Sequence, residues 1–497
     1  MNMKPHDQSD VFDDIRELIR LKLVEKVVPS LAVAVAKDGV IVWEEGFGWA
    51  DRENRVPANE HTMYSLASIS KPITATGLMI LKERGELDLD KPINDYLGDA
   101  KIKAWIGSSD EATVRRVANH TSGLPLHWQY FYEDEPYHPP AMDETIRRYG
   151  NLITVPGEKY EYSNLGYGVL DYVISRLSGK SYPDLMREEV FLPLDMTHTS
   201  VHIGSRLEKY QAIRYGADGV PIPFYDYNHR GASAVYSSAH DLVRFGMFHL
   251  KAHLPEQRAI LSDETIDEMQ KPTIGIEEYK GVQYPPSVNF GISWMISEND
   301  RGYRSVIHGG GGDGVSTLLN LIPTEKLAVV VLSNTGWGRS SLTSEVTQEI
   351  LSVMLPEYAK NRVRELEAQQ KQAKAQKPAP SFKPIPELIG KWSGSVYAYK
   401  QEVPLALWFK ESGDVHAQLG DQLKTLLNKV SFKDGNLRGR MMGDIGTEDA
   451  NRLPYHLHVS LNLRGQVLNG GVTVISISGR REGYALSHWV ELKKARD

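Results

Sequence analysis

Two groups of strand-like runs, held apart by a long stretch of mostly helical and loop sequence, constrain this chain more than any other feature. The first, SLAVAVAKDGVIVWEEGFGWAD, reads as two strands hinged at Asp38-Gly39, a dipeptide that accepts the positive φ angles of a tight hairpin turn. The second, NFGISWMI, YRSVIH, VSTLLNLIP and LAVVVLSN, is punctuated by Gly-rich or Pro-containing turns. Strands of the late group complete the sheet that the early hairpin begins. The expectation is therefore an α+β fold, in which residues 74–238 form a helical region inserted between the first and last strands of one antiparallel sheet.

An amphipathic helix is expected over residues 11–26, and SSLTSEVTQEILSVMLP reads as a closing helix. Beyond it NRVRELEAQQKQAKAQKPAP loses apolar periodicity and ends in a Pro-containing stretch, the signature of a linker. KWSGSVYAY, VPLALWF, YHLHVSLNL and GVTVISISG then predict a small all-β barrel. Its opening Gly390-Lys391-Trp392 resembles the start of lipocalin-like barrels, in which the tryptophan plugs one end. The organisation read from sequence is thus a first domain over 1–355, a linker over 356–383 and a barrel over 384–497. No repeat of fixed period suggests a solenoid or propeller.

Composition narrows the function classes. With 497 residues, a formal net charge of -7 and 41% hydrophobic residues, the chain reads as globular and lacks the basic footprint of a nucleic-acid or anionic-membrane binder. A small molecule or short peptide is the expected partner; the oligomeric state is not legible. The absence of cysteine excludes thiolate nucleophiles, disulfides and Cys-ligated zinc. The 16 histidines show no His-Glu-x-x-His spacing, so neither a metal nor another cofactor is expected. The N-terminal stretch lacks the cationic and apolar regions of a signal peptide, and no apolar run reaches membrane-spanning length, which predicts a cytoplasmic protein.

The chemistry-bearing segment is YSLASISKPITATGLMILKERGELDLD. Ser68 and Lys71 stand three apart, on one face of a helix expected to begin near Ser68, with Pro72 tolerated in its first turn. Pro72 to Leu81 carry no charge, so the helix reads as buried, with Gly85 as its C-terminal cap. Burial and the partially positive helix end both disfavour an ammonium at Lys71, which makes it a candidate base for Ser68. The structural alternative is an N-capping serine and an exposed first-turn lysine.

In VPGEKYEYSNLGYGVLDYVISRL, Tyr162 is either a proton relay or a satisfied core tyrosine. Asn164 either binds a substrate amide or caps the following helix. In YRSVIHGGGGDGVSTLLNLIP, His308 and the glycines after it either let a substrate approach the backbone or form a hairpin loop. WQYFYEDEPYHPP is read as an aromatic lid or a packed surface loop.

Taken in order, Ser-x-x-Lys, Tyr-x-Asn and a His-based Gly triplet resemble the serine β-lactamase and penicillin-binding-protein superfamily, particularly class C enzymes and related esterases and D-peptidases. The likeness spans roughly residues 12–355 and includes ANHTSGLP at 118–125, GASAVYSSAHDL at 231–242 and FGISW at 290–294. The resemblance implies Ser68 as nucleophile, Lys71 as its base and Tyr162 as a proton-transfer partner. It also implies that Asn164, His308 and Gly310 contact substrate, and that the N–H groups of Ser68 and Gly311 form an oxyanion hole. Where the superfamily usually carries lysine, this chain has His308, only partly charged near neutral pH. That favours esters, amides or D-amino-acid peptides. The alternatives are β-lactamase or D-Ala-D-Ala carboxypeptidase activity, or a non-hydrolytic penicillin-binding or ligand-binding protein.

Overall fold

The computed structural model describes residues 10–276, 278–279, 282–336, 341–373, 382–477, 479 and 481–495. Asp38 (φ 51°) and Gly39 (φ 78°) both take left-handed backbone, as a two-residue hairpin turn requires. They join β1 (Ser30–Lys37) to β2 (Val40–Asp51). The later strands are β3 (Met295–Asp300), β4 (Tyr303–Gly312), β5 (Val315–Ile322) and β6 (Leu327–Ser333). They run antiparallel in the order β3-β4-β5-β6-β1-β2, with short edge strands Val288–Phe290, Ile274–Gly275 and Val56–Pro57 outside them. The closing pair is β1 with β6, register Leu31↔Ser333 to Lys37↔Leu327, so the N-terminal hairpin and the late strands do form one sheet.

The chain clusters into two compact units, one of Met1–Leu89, Leu170–Phe224 and His229–Ala375, the other of Asp90–Val169, Tyr225–Asn228 and Gln376–Asp497. The sheet belongs to the first, with helices α1 (Asp13–Glu25), α2 (Ser70–Glu83), α3 (Ala239–His249), α4 (Ser341–Met354) and α5 (Pro356–Ala373). In β1 every residue from Ser30 to Ala36 is buried, the pattern of a strand covered on both faces. Leu31, Val33 and Val35 join Phe12, Ile15 and Ile19 of the N-terminal segment and Leu342, Val346 and Ile350 of α4 in one core. Each such burial stabilises by about 1.5–3 kcal/mol. The alternating Ala32, Ala34 and Ala36 point to the opposite face, where α3 packs. There Gly246 lies against Leu319, Leu321 and Ala328 and lets the helix approach closely.

Two expectations for this unit change. The stretch read as a linker over 356–383 opens as helix α5, and residues 374–381 lie outside the described residues. Pro356 starts it where proline fits, and the buried Tyr358 ties it to the sheet core; the absence of an apolar stripe hid it in the sequence. The four glycines after His308 do not form a loop: β4 runs through them to Gly312, paired with β5 as far as Gly312↔Val315.

The second unit holds the barrel. Its strands are β7 (Gly390–Tyr397), β8 (Glu402–Phe409), β9 (Val415–Leu419), β10 (Asn428–Lys433), β11 (Asn436–Met441), β12 (Tyr455–Arg464), β13 (Val467–Ser476) and β14 (Tyr484–Lys494). The order is β9-β8-β7-β14-β13-β12-β11-β10, with Thr425–Leu426 outside β9. Only Leu427 separates that two-residue strand from β10, so the two sheet edges meet along the chain and the barrel nearly closes. Trp392 is fully buried, its Nε1–H donated to Leu388 O at 2.8 Å.

Residues 90–169 and 225–228 cluster with the barrel in this unit. WQYFY is a strand, Trp128–Tyr132, that extends the barrel sheet through Tyr484↔Gln129 and pairs on its other side with Tyr225–Tyr227. Tyr130, Phe131 and Tyr132 are buried, so this segment is sheet rather than lid. Asp449 of the barrel accepts Tyr149 Oη–H at 2.7 Å and Arg148 Nη1–H at 2.9 Å. Among the described residues no helix is long and apolar enough to cross a membrane.

Candidate active site

Helix α2 is buried from Ser70 to Leu81 and ends in a Schellman cap, with Glu86 N–H on Leu81 O, Gly85 N–H on Lys82 O, and Gly85 at φ 74°. Its start differs from the expectation: Ser68 sits in a 3-10 turn, Ala67–Ile69, and the α-helix begins at Ser70. Ala67 holds φ 44°, a left-handed conformation that costs a non-glycine residue strain and is kept only where neighbours enforce it. The neighbours are identifiable. Leu66 N–H donates to Val235 O at 2.9 Å, Thr317 Oγ1–H to Leu66 O at 3.0 Å, and Val235 N–H to Ser70 Oγ at 3.0 Å.

Lys71 is 0% exposed, and its Nζ lies 3.0 Å from Ser68 Oγ and 3.1 Å from Ala232 O. Ser68 is half-buried. Ala232 belongs to the helical turn Arg230–Ser233, which is pinned from two sides. Asp171 Oδ2 accepts Gly231 N–H at 2.5 Å, and Thr74 Oγ1–H donates to Gly231 O at 2.6 Å. Burial pushes the Asp171 carboxyl up to about 7, opposed by the bond from Gly231 and the charge of Arg230. Neither Asp171 nor Ala232 was singled out from sequence, since a backbone carbonyl and the residue supporting its turn leave no motif.

On the same unit, β4 packs against the Ser68 turn and carries His308, Gly310 and Gly311. Gly310 is required by this approach: a Cβ there would lie well inside 3.0 Å of both Leu66 O and Thr317 Oγ1. Gly310→Ala is therefore expected to destabilise by at least the ~1–3 kcal/mol typical of overpacking, because a backbone carbonyl cannot swing aside. Thermal unfolding of the full chain checks this.

His308 corrects one expectation. It is 6% exposed, and its Nδ1–H donates to Gly309 O at 2.9 Å. Burial, and then the charge of Lys71, pushes its pKa down to about 3, so it is neutral rather than partly charged near pH 7. With the proton on Nδ1, Nε2 presents a lone pair with no partner among the described residues. The position offers an acceptor where the sequence argument expected a titrating cation.

Tyr162 and Asn164 belong to the second unit, where both are 9% exposed. The cap of the helix Asn164–Ser178 is supplied by Ser163, whose Oγ accepts Gly166 N–H at 2.9 Å and donates to Pro125 O at 2.8 Å. Ser163 N–H donates to His120 Nδ1 at 3.1 Å, which fixes that ring as the Nε2–H tautomer, and the ring lies 4.4 Å from that of Tyr162. His120 holds φ 62°. It stands in ANHTSGLP, where a histidine tolerating left-handed backbone was the available signal.

The structure thus joins Ser68 to Lys71 and packs their turn against the strand of His308, Gly310 and Gly311, while Tyr162 and Asn164 share the other unit. Among the described residues no group of three or more histidines and acids is placed to hold a metal ion.

A serine beside a buried lysine at the start of a helix, next to an antiparallel sheet, defines a recognised class of fold and site. The family model described as Beta-lactamase matches residues 15–345, more than half of the chain, and the chain belongs to that family. It is 27% identical over 457 residues to an unguisins hydrolase of Aspergillus campestris, an alignment covering 85% of this chain and 82% of that protein. A penicillin-binding protein of Bacillus subtilis is 27% identical over 326 residues, covering 61% of this chain and 67% of its own. Among solved structures, the octameric penicillin-binding protein homologue from Pyrococcus abyssi superposes with a TM-score of 0.60 at 21% identity. That match covers 95% of this chain and 99% of the other, which extends the likeness of fold through the barrel.

Proposed function

We propose that the chain is a serine hydrolase that cleaves small esters, amides or D-amino-acid peptides through an acyl-enzyme on Ser68. The observation that carries the reading is Lys71 Nζ at 3.0 Å from Ser68 Oγ in a buried position. Once its ammonium has released a proton, Lys71 accepts the Ser68 proton as Oγ bonds to the substrate carbonyl carbon, and the carbonyl π pair moves onto oxygen. Ala232 O orients Nζ. The N–H groups of Ser68 and Gly311 receive the oxyanion, the leaving group departs with a proton, and water reverses the sequence. Tyr162 is assigned to proton transfer and Asn164 to the substrate amide, as the family pattern suggests. The hydrolase named among the relatives supports turnover over mere binding.

A neutral His308 gives a substrate carboxylate nothing to pair with, so neutral esters and amides are preferred to cephalosporins. The test is a panel of p-nitrophenyl esters, D-aminoacyl anilides and a cephalosporin. The ratio of kcat/KM for cephalosporin to ester should stay flat from pH 5.5 to 8, since a group titrating at about 3 does not change charge there. His308→Lys should raise that ratio. A wild-type ratio that climbs as pH falls would mean that His308 protonates on demand; no turnover of any panel member would remove the hydrolase reading for these substrates.

A further inference from the structure

We propose that the C-terminal barrel is a positioning element for Tyr162, acting through Ser487 and the segment Leu126–Pro125–Ser163; this rests on the assignment of Tyr162 to proton transfer. The contacts run without a gap inside one unit. Ser487, on β14 and 1% exposed, donates its hydroxyl to Leu126 O at 2.7 Å. Since that hydroxyl has one proton, Thr473 Oγ1–H on β13 supplies the bond at 2.8 Å that Ser487 Oγ accepts. The neighbouring carbonyl, Pro125 O, accepts Ser163 Oγ–H at 2.8 Å. Ser163 is flanked by Tyr162 and Asn164 and is bonded through its N–H to the His120 ring that lies against Tyr162, tilted by 40°.

A second tie holds the loop leading into Tyr162. Arg464 on β12 bonds both carboxylate oxygens of Glu158, at 2.5 and 2.6 Å. Two barrel strands therefore grip the approach to Tyr162 and the segment that backs it. A barrel that served only as an appended ligand-binding module would need neither grip. The bond from Ser487 matters most, because its donor side chain is buried whereas solvent-exposed ion pairs contribute little.

The experiment uses the full chain and p-nitrophenyl butyrate. Ser487→Ala should lower kcat about tenfold with KM within about twofold, the pattern of a misplaced group acting in the chemical step, and Ser487→Thr, which keeps the hydroxyl, should restore it. In a Tyr162→Phe background Ser487→Ala should cost nothing more, and amide exchange at Ser163 and Gly166 should quicken in Ser487→Ala. Wild-type kcat in Ser487→Ala, or the same loss with Tyr162 already replaced, overturns the proposal. Wild-type kcat in Tyr162→Phe alone removes the assignment of Tyr162. Unchanged exchange at Ser163 and Gly166 removes the grip itself, whatever Tyr162 does.

Discussion

Ser68→Ala is expected to reduce turnover of any accepted ester by at least about 10⁴-fold, the scale on which losing the nucleophile of an acyl-serine mechanism is felt. The residual rate would come from binding and the oxyanion donors alone. The fold should survive, because the Ser68 side chain is half-buried and the turn is held by Leu66, Thr317 and Ser70. Ser70→Ala is the informative control. It removes the acceptor for the buried Val235 N–H, so it should cost about 1–3 kcal/mol of stability while leaving covalent labelling at Ser68 intact. The two serines, two residues apart, thus separate chemistry from folding.

Lys71→Ala should slow acylation by about 10²- to 10⁴-fold, the usual contribution of a positioned base, measured as the burst rate in stopped flow. Nζ reaches Ser68 Oγ and Ala232 O from a buried position, so truncation removes the amine placed to take the Ser68 proton, and a water in its place is a far weaker base. Lys71→Arg should not restore the rate, because a guanidinium retains its proton at any accessible pH. A burst rate in Lys71→Ala equal to wild type would assign the proton to another group and leave Lys71 as a buried strut for the Arg230–Ser233 turn.

The parts legible in the sequence were those that local chemistry determines. Asp38-Gly39 specified a turn, LAVAVA a strand, and the uncharged run after Pro72 a buried helix with Gly85 at its end. Ser68 and Lys71 came together because spacing along a helix already sets their separation. What escaped depends on contacts distant in sequence. Nothing local in WQYFY tells that Gln129 pairs with Tyr484. His308 was read as a titrating group from its reference pKa, whereas its state follows from burial, which only the packed strand reveals. Asp171 and His120 act by supporting backbone or a neighbouring ring, roles that require no fixed motif. Helix α5 was hidden by its polar composition and betrayed only by Tyr358.

The central claim is that Ser68 carries the acyl group. Incubating the full-length chain with an acyl-serine probe such as a fluorophosphonate, followed by proteolysis and mass spectrometry of the peptides, reads the position of the adduct directly. One adduct per chain is expected, on the peptide containing Ser68, lost in Ser68→Ala and retained in Ser70→Ala. An adduct on any other residue, or labelling that persists undiminished in Ser68→Ala, would contradict the account.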